Sequence, residues 1–349
     1  MKNFWSNIRR FSSLILLVSV FACRKDGPEE EPQQFHISSG EKVLIGEEGN
    51  FQFGNASLSL YQAADSSINS GIFQSANGRA LGDVCQSLTA FDEKIFAVIN
   101  NSGKIEVLSK SDFRSLGTII GMKSPRYCQV ISRNTAFVSD YKANAVYKVD
   151  LSRLKVVDSI PIRSWTEGMI DHQGKLYVCG KSSDYLYKVD LATQQVEDSI
   201  SVGSGPAGAV LDANDQLWIL CEGNYGDSRP CSLVRLNLGD FSIDASFEFS
   251  AGRTVSNLII SADGLTLYFL NEGVCQMAIS DTKLPVNPLI PELGQTFYGL
   301  ATNYLNDELW ISDAKDFISK STILRYDASG NLLFKSEGGI NARSFLFLY

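Results

Sequence analysis

The chain has 349 residues, 44 % of them apolar and 20 % charged, the balance of a globular protein long enough to bury its own core. Its formal net charge is −8 and no cluster of Lys or Arg offsets it. Nucleic-acid binding, which rests on neutralising phosphates, is therefore excluded.

Lys2, Arg9 and Arg10 precede a short apolar run, Leu14 to Phe21, and Ala22 stands before Cys23. The run is far shorter than the roughly 20 residues that cross a membrane as a helix. "VFAC" resembles a bacterial lipoprotein signal, so residues 1–22 are expected to be removed and Cys23 to carry the lipid. An ordinary signal peptide with an incidental Cys is the alternative. Removal takes away three positive charges and leaves a formal charge of −11. Residues 23–40, with "RKDGPEEEPQQ", are acidic, Pro-containing and without apolar periodicity, as a tether is. An acidic cluster behind a lipidated Cys resembles the surface-export signal of Bacteroidetes lipoproteins. The expectation is an outer-membrane lipoprotein, exposed at the cell surface, whose folded domain spans 41–349.

From residue 41 the chain reads as short strands. "KVLIGEEG" (42–49) is followed by "SLSLYQ" and "INSGIFQ", which complete a unit that lacks a first strand. Apolar strands recur at "IFAVINN" (95–101), "AFVSD" (136–140), "LYVCG" (176–180), "LWILCEG" (217–223), "LYFLNEG" (267–273) and "LWISDA" (309–314). "YKVDL" at 147–151 returns at 187–191, and "DSI" at 158–160 returns at 198–200. Turn signals such as "HQG", "AND" and "ADG" separate the strands, and no sustained helical period is visible. A period near 40 residues with four strands each is one blade of a β-propeller. Within one period the strands fall at 168–171, 176–180, 185–191 and 195–201. Six full copies can be placed, and "NARSFLFLY" (341–349) is an inner strand with nothing after it. The expected fold is therefore all-β, a seven-bladed propeller closed by N- and C-terminal strands in one blade. A two-sheet sandwich is the rival, but sandwiches do not repeat their sequence.

The chemistry is sparse. His36 and His172 are the two histidines, so a Ser-His-Asp or Cys-His arrangement has no supply, and HExxH, CxxC, GxSxG and phosphate-loop motifs are missing. The expectation is no enzyme, no metal and no cofactor. Paired carboxylates from the similarly placed Glu47, Glu48, Glu222 and Glu272 are the remaining catalytic possibility. Cys221 and Cys231 bracket the inserted "EGNYGDSRP", and a disulfide pinning that loop is expected. Cys85 and Cys128, each followed by Gln, read as equivalent inner-strand residues and as small buried thiols, and Cys179 and Cys275 as core.

Strands that alternate in direction bring the fourth-to-first and second-to-third loops to one face. That face collects Arg126, Tyr127, Tyr141, Trp165, Tyr225, Arg253, Tyr298 and Arg343 around the central opening, the residue types a recognition site uses. Part of this set is expected to plug the channel or pack under loops. The other face carries turn residues alone. A large, neutral, polar ligand with amide side groups suits the set, as does a loop of a partner protein.

"GDVCQSL" (82–88), "NNSGKIEVL" (100–108), "SPRYCQVI" (124–131) and "LYKVDLATQQVEDSISVGSGPAGAVLD" (186–212) carry a resemblance to YncE/YVTN-type surface propellers of Bacteroidetes, over essentially all of 40–349. Within that group the chain is most similar to the BtuG-type proteins. That resemblance implies capture of cobalamin or another corrinoid as cargo rather than cofactor, and its delivery to an outer-membrane TonB-dependent transporter. A scaffold without a small ligand, and a lyase or glycosidase on the same face, are the alternatives.

Overall fold

The computed structural model describes residues 40–224 and 228–349. They form seven four-stranded antiparallel sheets, which are the seven blades. Blades 1 to 6 begin with the inner strands Cys85–Phe91, Pro125–Ser132, Thr166–His172, Pro206–Leu211, Ser256–Ile260 and Phe297–Thr302. Blade 7 takes its inner strand, Ala342–Leu348, from the C-terminal end and its second strand, Lys42–Glu47, from the start of the domain. Each inner strand packs against the inner strand of the next blade, and the seventh returns to the first, so the ring is closed.

The sequence pattern follows from this arrangement. A second strand lies between two neighbouring blades and is covered on both faces, so it is apolar throughout rather than alternating. Leu176 to Cys179 and Leu217 to Cys221 are buried accordingly, whereas the outermost strand Gln195–Ser201 is largely exposed. Seven apolar clusters result, one at each blade interface. The repeated "YKVDL" is the end of a third strand and its turn: Asp150 accepts from the Ser152 and Arg153 N–H groups, and Asp190 from that of Thr193. "HQG" closes a two-residue hairpin with φ 47° at Gln173 and 76° at Gly174, the left-handed pair that a type I′ turn requires.

Three expectations need correction. "INSGIFQ" is not one strand. Ser67–Asn69 pairs as the fourth strand of blade 7, and Ile72–Asn77 then turns into a short helix that tucks Ile72 and Phe73 into the cluster between blades 7 and 1. Cys85 and Cys128 are not equivalent: Cys85 pairs with Ile99 at the start of its strand, whereas Cys128 pairs with Val138, past a bulge. The position matching Cys85 in blade 2 is Pro125.

The Cys221–Cys231 bridge is also not formed; all six cysteines of the described residues are free and buried. Cys221 pairs with Ser232, so period-two alternation turns Cys231 to the opposite side of the sheet. Cys221 packs in the cluster between blades 3 and 4, and Cys231 in that between blades 4 and 5. Each thiol has its own acceptor, Val202 O for Cys221 and the carbonyls of Glu222 and Arg253 for Cys231. Burial pushes the thiols up, Cys128 and Cys221 to about 12 and Cys275 to about 11, which leaves them inert at neutral pH. A reducing agent should therefore leave the melting temperature of the purified domain unchanged. A fall of several degrees would reveal a stabilising bridge.

Candidate functional site

In all seven blades the pairing of inner and second strand slips at the same level, one step into the inner strand. A bulge re-aims the side chain beside it. The register makes Gln86, Arg126, Glu167, Ala207, Asn257, Tyr298 and Arg343 the seven equivalent residues at this level, and six of them line a central cavity of about 380 Å³. The positions that follow are crowded by neighbouring inner strands. A Cβ on Gly168 would lie 2.6 Å from Ala207 O, and one on Gly299 2.6 Å from Arg343 O, so only glycine lets the strands approach there.

A second, wider ring stands outside the first. In six blades the residue following the second strand donates its N–H to the loop that enters the inner strand: Asn100 to Val84, Tyr141 to Ser124, Lys181 to Trp165, Glu222 to Gly205, Ala314 to Thr296 and Glu48 to Asn341; in blade 5 Asn271 donates to Gly273 O instead. These bonds tie the two loop sets together at one end of the channel, the face expected from strand alternation.

Ion pairs run within each ring and, through Arg343 and Glu48, between them. Arg126 Nε lies 2.8 Å from Glu167 Oε2, and its Nη1 donates to Gln86 Oε1. Arg343 Nε is 3.6 Å from Glu48 Oε1, and its guanidinium sits 5.0 Å above the Tyr298 ring, whose hydroxyl donates to Glu48 Oε2 over 2.8 Å. Lys181 Nζ pairs with Glu222. Three cations thus meet three carboxylates. Burial opposes charge on Arg343, yet the carboxylates of Glu48 and Glu167 hold it firmly protonated. Burial pushes the Tyr298 phenol up to about 12, so it remains a neutral donor.

The residues anticipated on this face divide into two groups. Arg126, Tyr127 and Arg343 line the cavity, and Tyr298 is wedged behind it between Arg343 and Phe317. Tyr141 and Trp165 form an aromatic shelf at the rim, with ring centroids 4.5 Å apart and the Arg126 guanidinium 5.6 Å from the Tyr141 ring. Trp165 remains 40 % exposed. Arg253 stands away from the cavity, paired with Glu272 beside the blade 4 insertion. Tyr225 and Cys23 lie outside the described residues.

Gln86, Glu167, Asn257 and Lys181 were not anticipated. Their signal was position: each of the first three follows its entry loop at the same step as Arg126. The suggested carboxylate set does not assemble. Glu48 and Glu222 are equivalent, but Glu47 ends a strand and is buried, accepting from Ser59 and the Gly339 N–H, and Glu272 lies at the rim. On the opposite face a hollow of about 400 Å³ is lined by His172, Lys175, Lys188 and Asp215, with Lys175 engaged by Asp190 and Glu197. A similar hollow opens between blades 1 and 2 near Phe91 and Arg133, so such gaps come with blade repetition.

With this geometry, the comparison that decides the family is the match of residues 41–337 to a domain of unknown function, DUF5074. The chain belongs to the DUF5074 family. No curated protein matches the sequence. Among solved structures, this DUF5074 propeller is similar to a protein from Lactobacillus plantarum at 14 % identity, covering 88 % of this chain and 99 % of that one with a TM-score of 0.69. It is similar to a quinonprotein alcohol dehydrogenase-like protein from Bacteroides thetaiotaomicron at 13 % identity, with 87 % and 77 % covered and a TM-score of 0.68. It is also similar to Kuenenia stuttgartiensis hydrazine synthase at 13 % identity, with 74 % and 88 % covered and a TM-score of 0.59. At such identities the likeness carries the DUF5074 fold alone, since propellers host many functions.

Proposed function

We propose that the protein binds a large, neutral, polar small molecule at the loop-bearing mouth of its channel, without converting it. The observation that carries this reading is charge compensation. Arg126, Arg343 and Lys181 are each met by a carboxylate around the central cavity, so the mouth offers many hydrogen-bonding groups and little net charge. An anionic or cationic ligand would have to break a pair and leave a half-buried charge exposed to its own kind. The exposed Trp165 beside Tyr141 adds a flat surface for an apolar ligand face. His172 belongs to the other face and the mouth carboxylates are engaged in ion pairs, which favours binding over catalysis.

A corrinoid is the candidate ligand. Its flat macrocycle would lie across the mouth and its peripheral amides would reach inward. In this reading the lipidated chain holds its cargo at the cell surface and passes it to an outer-membrane TonB-dependent transporter; recovery of the full chain in a soluble fraction would refute the anchor. Calorimetric titration of the purified domain with cobalamin tests the ligand. Saturable binding at micromolar concentration or tighter is expected, and no heat and no absorbance change would overturn the assignment.

A protein partner is the second reading. Phe53, Leu293 and Ile318 are 78 %, 81 % and 70 % exposed in loops on the same face. The loops of Phe53 and Ile318 adjoin, since Asn50 and Asn341 both donate to Phe317 O. Apolar side chains displayed in this way mark contact surfaces.

A further inference from the structure

Gln86 lines the central cavity and is 2 % exposed. Its Oε1 accepts from Arg126 Nη1. A guanidinium can only donate, so this contact fixes which end of the amide is oxygen. The NH2 end is therefore turned away from Arg126, and Gln86 Nε2 has no partner. A buried donor without an acceptor is costly, and a structure that keeps one at a cavity wall has a use for it. The next inner strand repeats the feature: Ser344 lines the same cavity and its Oγ is also without a partner. The ring places Gln86 between Arg343 and Arg126, whose charges are already met by Glu48 and Glu167. The unmet demand in this arc is thus a neutral one. Across the cavity Ala207 carries only a methyl group at the same level, which leaves room for an inserted group.

We propose that Gln86, with Ser344 beside it, is the polar anchor of the mouth: the Gln86 NH2 donates to a neutral carbonyl oxygen, that of a ligand amide, inserted into the cavity. A carboxylate fits less well, because the flanking carboxylates of Glu48 and Glu167 repel it and their arginines are taken. This rests on the reading of the mouth as a ligand site and names the ligand group that it selects.

The test follows the Gln86 side-chain NH2 signals of the 15N-labelled domain, identified by their absence from Gln86→Met, and does not depend on cobalamin. N-methylacetamide should shift them saturably, and acetate at the same concentration should shift them less. A stronger response to acetate overturns the selectivity, and a response to neither shows an amide sealed from ligands and overturns the proposal. Cobalamin is then titrated into wild type and Gln86→Met, with melting temperatures to confirm folding. Affinity should fall about five- to tenfold in the variant, the range for one lost hydrogen bond. Unchanged affinity overturns the anchor. A response to N-methylacetamide without cobalamin binding upholds the anchor and removes the corrinoid reading instead.

Discussion

Deleting Ser344 to Tyr349 is expected to leave a chain that no longer folds. The lost segment is most of the strand that closes the ring, and it pairs residue by residue with residues 42–46, nearly the whole domain away in sequence. Leu346 and Leu348 belong to the cluster between blades 7 and 1. Phe345 and Phe347 pack on the other side, with centroids 6.1 and 6.2 Å from the ring of fully buried Trp310. Fully burying such a side chain contributes about 1.5–3 kcal/mol, so four that are wholly or partly buried contribute several kcal/mol together. The deletion also strips hydrogen-bond partners from residues 42–46 and leaves a second strand that is apolar on both faces as an unpaired edge beside the channel. Against a typical total of about 5–15 kcal/mol, the loss is comparable with the whole stability. The truncated chain should be insoluble, or should melt well over 10 °C lower by circular dichroism, and full-length melting behaviour would sink the closure argument.

The same strand shows why the fold was legible from residues. A β-propeller writes its architecture as a period, and the period survives because every second strand must be apolar on both faces. What the period cannot show is a half-step. The bulge that turns Arg126 and Arg343 toward the axis leaves no mark in the apolar pattern, so Cys85 was set level with Cys128 when it sits three residues earlier along its strand. That offset also hid Gln86 and Glu167, polar residues inside strands that look ordinary until the register is known. Arg126, Tyr127, Tyr298 and Arg343 were singled out because Arg and Tyr are residue types that recognition sites favour, whereas Gln86 and Glu167 stand at the same step without that mark. The Cys221–Cys231 expectation failed for a related reason: nearness in sequence says nothing of which face of the sheet each thiol takes. The short helix at Ile72–Asn77 escaped because one and a half turns are too few to display a helical period.

Replacing Trp165 by Ala is expected to weaken cobalamin binding about thirtyfold, near 2 kcal/mol, while leaving the melting temperature within about a degree or two. The indole is 40 % exposed and rests on Tyr141 at the rim, so its removal takes away ligand-facing surface and little core. Arg126→Ala should weaken binding at least as much, but for two reasons that must be separated. It removes a cavity wall, and it leaves Glu167, 7 % exposed, without its 2.8 Å partner, so stability falls as well. Tyr298→Phe is gentler, losing the donor to Glu48 and freeing that carboxylate toward Arg343. Asp263→Ala supplies the control, because Asp263 holds a turn on the opposite face through Ser261 and the Leu265 N–H. Its affinity should equal that of wild type. If cobalamin binds and Trp165→Ala, Arg126→Ala and Tyr298→Phe all bind it equally well, the ligand sits elsewhere and the mouth is not its site. If cobalamin does not bind at all, the exposed Phe53 and Ile318 become the residues to change, and capture of an outer-membrane partner by wild type but not by Phe53→Ser with Ile318→Ser would carry the second reading.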